Sequence, residues 1–135
     1  IGYAAGSSVV MQELAKIIPP YNMNQLSLAA AKLALKHADV IDATTNKLKA
    51  ERERMLAALS EIDCLKVFPS QANFLTVRTP DAAELFDALK QNNILIKKLH
   101  GAHVLLDQCV RITIGAPKHN DAVLAVVRSL YCSLH

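Results

Sequence analysis

The sequence predicts an α+β fold: helices come first, followed by a small, largely antiparallel sheet in the order ββαββα, packed on helices. Three observations carry this expectation. Val9, Val10, Leu14, Ile17 and Ile18 recur at helical spacing in the N-terminal part. After Asp63 the apolar period shortens to that of brief strands, and helical patterns return twice among them. Helices and strands mix without a strict βαβ alternation, which argues against an all-parallel sheet.

Each element has its own punctuation. Ser7 and Ser8 offer oxygens to the free N–H groups of a first helix. Pro19-Pro20 ends it, because neither proline donates and each pushes its predecessor out of α space. Tyr21-Asn22-Met23-Asn24 is a connector, and Asn24 or Ser27 caps an Ala-rich second helix reaching about His37. A third helix is expected over about residues 39–62, with Ile41, Leu48, Met55, Leu59 and Ile62 as a narrow seam. Lys47, Lys49, Glu51, Arg52, Glu53 and Arg54 crowd its other side and read as a solvated face, with Lys47–Glu51 and Lys49–Glu53 four apart.

Strands are expected at residues 65–68 and 73–78. Thr79-Pro80-Asp81 then signals a helix with Leu85, Phe86 and Leu89 inward, closed by Asn92-Asn93. A third strand is expected at residues 94–96, with Lys97 and Lys98 at its end, and a fourth at 109–114. The last helix should run over about residues 118–133, with Val123, Val126, Val127 and Leu130 inward.

Composition narrows the function classes. The chain has 135 residues, 52% apolar and 20% charged, enough for a folded core and unlike a disordered chain. Aromatic residues are 4% and Trp is absent, so Leu, Ile, Val and Ala must build that core. A net charge of +3, with no dense basic cluster interleaved with aromatics, gives no positive support for a nucleic-acid surface. No apolar run approaches the roughly 20 residues of a membrane span, and the first residues do not read as a signal peptide. Cys64, Cys109 and Cys132 are widely spaced and form no CxxC pair, which suits buried or half-buried thiols in a reducing cytoplasm. The opening Ile1-Gly2-Tyr3 reads either as the trace of a removed leader or tag, or as the middle of a larger protein.

Few groups suggest chemistry. There is no GxSxG and no glycine-rich phosphate loop; the four glycines are scattered. His100 and His103 stand in a loop with His119 further on, too few ligands at too loose a spacing for zinc, so no metal is expected. Asn73 suits a side chain binding backbone at a strand start. Arg111 is different. Strand alternation puts Val110, Ile112 and Ile114 on the face that packs on helices, and Arg111 and Thr113 on the other. There the guanidinium fork meets solvent or an ion-pair partner, or, in a larger protein, holds an anion in a cleft.

Several stretches together resemble one family. "GYAAGSSVVMQELAKIIPPYNMNQLSLAAAKLAL" resembles the segment of pyridoxal-phosphate aminotransferases that follows the cofactor-bearing lysine. "PSQANFLTV", "NNILIKK" and "CVRITIGAPKHNDAVLAVV" resemble, in order, the small C-terminal domain of histidinol-phosphate aminotransferases, a branch of fold-type I. The resemblance covers nearly the whole chain. It implies residues 1–38 as the end of the large cofactor domain with connector helices, and residues 39–135 as the small domain led by a long helix.

The resemblance also implies a reaction, transfer of an amino group between histidinol phosphate and 2-oxoglutarate, giving glutamate. Pyridoxal 5'-phosphate serves as electron sink in a cytoplasmic homodimer of histidine biosynthesis. By the resemblance, Arg111 grips the acidic group of the substrate. Lys97 stands where relatives carry an arginine for the substrate phosphate; lysine neutralises it as a point charge without the planar fork. Tyr21 and Asn22 shape the site mouth. The cofactor-bearing lysine and its companions are expected upstream of Ile1, so no catalytic, cofactor-binding or metal residue is expected in this chain. It reads as a C-terminal fragment, inactive alone. Two alternatives stand beside it: a stand-alone, non-catalytic α+β module binding an anion or a partner, and another fold-type I enzyme, an aromatic-amino-acid aminotransferase or a related decarboxylase.

Overall fold

The structure, a computed structural model, describes residues 1–132. It divides into two compact units, residues 1–43 and 44–135, and the boundary falls within one long helix.

The first unit contains α1 (Ser8–Ile17), α2 (Gln25–Lys36) and the start of α3 (Ala38–Ser60). Ser7 occupies the N-cap of α1 but its side chain makes no capping bond, a difference from the expected role. Asn24 does cap α2: its Oδ1 accepts from the N–H of Leu26 at 2.8 Å and of Ser27 at 3.3 Å. Neither α1 nor α2 buries a residue, and Val9, Ile17, Leu26 and Leu35 are all largely exposed. This unit therefore lacks a core of its own. Tyr21 sits in the turn after α1 with φ +60, a left-handed conformation uncommon for an aromatic residue.

The second unit holds the sheet: β1 (Lys66–Phe68), β2 (Phe74–Arg78), β3 (Lys97–Lys98) and β4 (Cys109–Thr113), in the order β1-β2-β4-β3, every pair antiparallel. Helix α4 (Ala82–Gln91) lies between β2 and β3 in sequence, and α5 (Pro117–Tyr131) follows β4. A short 3₁₀ turn, Val104–Leu106, precedes β4. One sheet face builds the core. Leu75 and Val77 from β2, and Val110 and Ile112 from β4, join Met55 and Leu59 of α3, Leu85 and Leu89 of α4, and Val123, Leu124 and Val127 of α5. Period-2 strands supply one apolar row each, and each helix supplies a stripe at spacings of three and four.

Several boundaries differ from expectation for identifiable reasons. The apolar run 94–96 is not a strand; β3 is Lys97–Lys98 instead. Asn93 turns left-handed at φ +60 and the Ile94 N–H bonds to Leu89 O at 2.9 Å, so this run closes α4 rather than entering the ladder. The cap of α4 is Asp81, whose carboxylate accepts from Ala83 and Glu84, while the Thr79 hydroxyl pairs with that of Tyr131. Ile41 is exposed, so the seam of α3 is buried only in its later half. Cys109 is buried as expected, but Cys64 and Cys132 are exposed.

Candidate functional site

The second face of the sheet lies opposite that core, and apart from the buried Cys109 its side chains are half-buried or exposed. Antiparallel register aligns on it Lys66 and Phe68 of β1, Phe74, Thr76 and Arg78 of β2, Cys109, Arg111 and Thr113 of β4, and Lys97 of β3. Four are cations, two are aromatic, and none is acidic. Arg78 is tied down: its Nε and Nη2 donate to the carbonyls of Asp107 (3.2 Å) and Leu105 (2.8 Å). Its guanidinium carbon and the Lys66 ammonium each lie 5.5 Å from the Phe68 ring centre.

Arg111 is held differently. It pairs with Thr76 on one side and Lys97 on the other, while its neighbours Val110 and Ile112 point into the core. Its guanidinium carbon lies 5.1 Å from the Phe74 ring centre, a cation–π platform that fixes the plane of the fork. Its Nε is buried without a hydrogen-bond partner. Among the described residues no carboxylate forms an ion pair with Arg111 or Lys97.

This is an unbalanced arrangement. Residues directly opposite in an antiparallel pair have Cβ atoms about 4.5–5.5 Å apart, and like charges so placed destabilise the sheet. A buried donor with no acceptor adds a desolvation cost. Two cations, one with an orphaned donor, on one acid-free patch have the chemistry that an anion such as a carboxylate or phosphate would satisfy. Of the outcomes weighed for Arg111, an internal ion pair is not found among the described residues.

The other residues singled out from the sequence lie elsewhere. Tyr21 and Asn22 belong to the first unit, in the turn after α1, and both are exposed. The Asn73 carbonyl accepts from the Ile114 N–H at 2.9 Å, so at this strand start the backbone, and not the side chain, makes the bond. The His100 Nδ1 lies 2.7 Å from Asp107 Oδ1, and the His103 Nδ1 accepts from the Leu105 N–H at 3.1 Å, so both order the loop before β4. No cluster of three metal-ligating side chains occurs among the described residues. No described helix is long and apolar enough to cross a membrane.

The charge run on α3 is only partly a solvated face. Glu51 pairs with Arg54 rather than with Lys47 and accepts from Asn120, while Arg52 reaches Ala72 O at 3.3 Å. The Arg54 hydrogen bonds first, and then Asn120, hold the Glu51 carboxyl below the usual carboxylate range. Sequence reasoning also missed Phe74 as the platform of Arg111, and Asn120, which is 1% exposed. A signal for Asn120 existed: it begins the stripe Asn120, Val123, Leu124, Val127, the first position of an otherwise apolar row.

The chain matches the family model for class I and II aminotransferases over residues 1–129. It is 64% identical over 132 residues to the histidinol-phosphate aminotransferase of Neisseria meningitidis serogroup C strain FAM18, covering 98% of this chain and 36% of that protein. Two solved histidinol-phosphate aminotransferases superpose on it, each 26% identical. That from Clostridium acetobutylicum gives a TM-score of 0.80, covering 93% of this chain and 39% of its own. That from Sinorhizobium meliloti, in complex with pyridoxal-5'-phosphate, gives 0.74, covering 92% and 34%. The chain thus spans about a third of the length of these relatives. With the fold and nearly every residue accounted for by one family model, the chain belongs to the class I and II aminotransferases.

Proposed function

We propose that this chain is the C-terminal part of a pyridoxal-phosphate-dependent aminotransferase that acts on histidinol phosphate and 2-oxoglutarate. In this reading residues 1–38 end the large domain and residues 39–135 are the small domain. Arg111 receives the anionic group of the substrate, and Lys97 adds a second positive charge for the phosphate. By the family likeness alone, Tyr21 and Asn22 are assigned to shaping the site mouth in the whole protein. One observation supports this most directly: the fork of Arg111 rests on Phe74 with its buried Nε unpartnered, opposite a second unpaired cation.

The open face offers cations and no carboxylate to pair with a pyridine nitrogen, so its residues suit the substrate and not the cofactor. We assign no residue of this chain to the cofactor, and none to proton transfer. When bound in the whole protein, pyridoxal 5'-phosphate supplies the electron sink for amino-group transfer. This chain then contributes binding and orientation: a planar fork fixes both the distance and the rotation of a phosphate or carboxylate. A cytoplasmic homodimer is part of the same proposal and follows the family likeness.

The test is a substrate panel on the whole protein, comparing histidinol phosphate with aromatic amino acids and with decarboxylation of a phosphorylated amino acid. Turnover with histidinol phosphate and 2-oxoglutarate is the expected result. Preference for an unphosphorylated aromatic substrate would move the protein to another branch. The chain by itself is expected to give no absorbance change with added cofactor and no turnover, and activity from it alone would end the fragment reading.

A further inference from the structure

Asn120 is the most deeply buried polar side chain among the described residues that is not part of the open face. Its carboxamide meets both backbone groups of one residue. Oδ1 accepts from the Gly115 N–H at 2.9 Å, and Nδ2 donates to Gly115 O at 3.0 Å. The remaining Nδ2 hydrogen goes to Glu51 Oε2 at 2.8 Å. Glu51 is in turn bound by Arg54 at 3.0 and 2.8 Å, and Arg54 reaches Asp121, the next residue after Asn120, at 2.8 Å. Glu51, Arg54, Asp121 and Asn120 therefore close a ring that joins α3 to α5 and grips the loop leaving β4.

The position of that grip matters because β4 is supported unevenly. On the β2 side it has five register pairs, from Cys109 to Thr113. On the β3 side it has two, at Val110 and Arg111, and the ladder then stops. Beyond Arg111, Ile112 and Thr113 border a cleft shared with Leu95, Ile96 and His119. The strand that carries Arg111 thus loses one lateral partner just past that residue, and Asn120 holds its exit where β3 no longer does.

We propose that Asn120 is a positioning residue for Arg111, setting the exit of β4, and through it the reach of the guanidinium, by clasping Gly115 against Glu51. This rests on the reading that Arg111 receives the substrate anion. Asn120 touches no reacting group. Its contribution is to affinity for the anion, so it acts on KM for the phosphorylated substrate more than on kcat.

The experiment measures kcat and KM for histidinol phosphate on the whole protein in a double-mutant cycle. Asn120→Ala is expected to raise KM roughly tenfold with little change in kcat, since a misplacement of about 1 Å costs up to two orders of magnitude. In an Arg111→Ala background the same substitution should change KM by less than about twofold, because coupled residues are non-additive. Equal factors in both backgrounds would make Asn120 merely structural and overturn the proposal. If Asn120→Ala does not fold, Asn120→Asp carries the test. It keeps the acceptor for the Gly115 N–H, loses the donor to Gly115 O and sets two carboxylates against each other; Glu51→Gln added to it restores a donor at the contact between the two side chains, so part of the loss in KM should return. Recovery of KM in the pair supports the clasp; KM no better than in the single variant refutes it. If Arg111→Ala alone leaves KM unchanged, the functional reading itself fails. If it raises KM while Asn120→Ala does not, only the present inference falls.

Discussion

Replacing Arg111 by alanine removes the whole fork from a site where nothing else can supply it. Among the described residues its Nε has no partner and no carboxylate pairs with it, so on the proposed function an anion is its acceptor. A hydrogen bond to a charged group contributes about 1.5–3 kcal/mol net. At about 1.4 kcal/mol per decade, the loss of that contact should, on the proposed function, raise KM for histidinol phosphate roughly 10- to 150-fold. Arg111→Lys keeps the charge and loses the fork, and should fall between the two. The structure also predicts what does not change. Arg111 faces Lys97 across the ladder, so its removal relieves a like-charge contact and the melting temperature should hold or rise slightly. The assay is steady-state transamination by the whole protein with 2-oxoglutarate saturating, alongside thermal melting of each variant. A KM within about twofold of the parent, in a variant that melts normally, would refute the assignment of Arg111 to the substrate.

Lys97→Glu should separate stability from function: an acid opposite Arg111 completes an ion pair, contributing about 0.2–1 kcal/mol to stability while abolishing anion affinity, read by melting and by KM. Leu59→Ala, at a fully buried position of α3, should cost about 2–5 kcal/mol in urea denaturation. The Glu51 carboxyl is held low in the folded protein, so its contribution is present above the ordinary carboxylate range and is lost as pH falls through its depressed folded value; Glu51→Gln should flatten that acid limb of the stability profile. Cys64 and Cys132 should react with a thiol reagent in the folded protein, and Cys109 only after denaturation.

The parts of the fold legible from sequence were those set by local rules. Alternation put Val110 and Ile112 inward and Arg111 outward, and the pleat of β4 obeys it because both rows are read within one strand. The Asn24 cap was legible for the same reason. The position of β3 was not. Ile94, Leu95 and Ile96 have the residue types of a strand, but a ladder needs a partner in register, and β4 offers one only to Lys97 and Lys98. The charges of α3 misled in a related way. The expected pairs lay along the helix, whereas Glu51 is recruited by Asn120, 69 positions later, a contact no local spacing encodes. Lys97 was singled out by its place in a family motif; that it stands opposite Arg111 follows only from register. The role of Phe74 likewise depends on which strand lies beside it.

The order β1-β2-β4-β3 has a bearing on solubility. Its two five-residue strands are interior, and its rims are formed by strands of three and two residues. A rim that short exposes only a few unpaired backbone donors and acceptors, and three of its five residues are lysines. A neighbouring chain that tried to extend the sheet would gain few hydrogen bonds and meet positive charge at either border. Polymerisation through strand addition is thereby discouraged by the lengths of the outermost strands themselves.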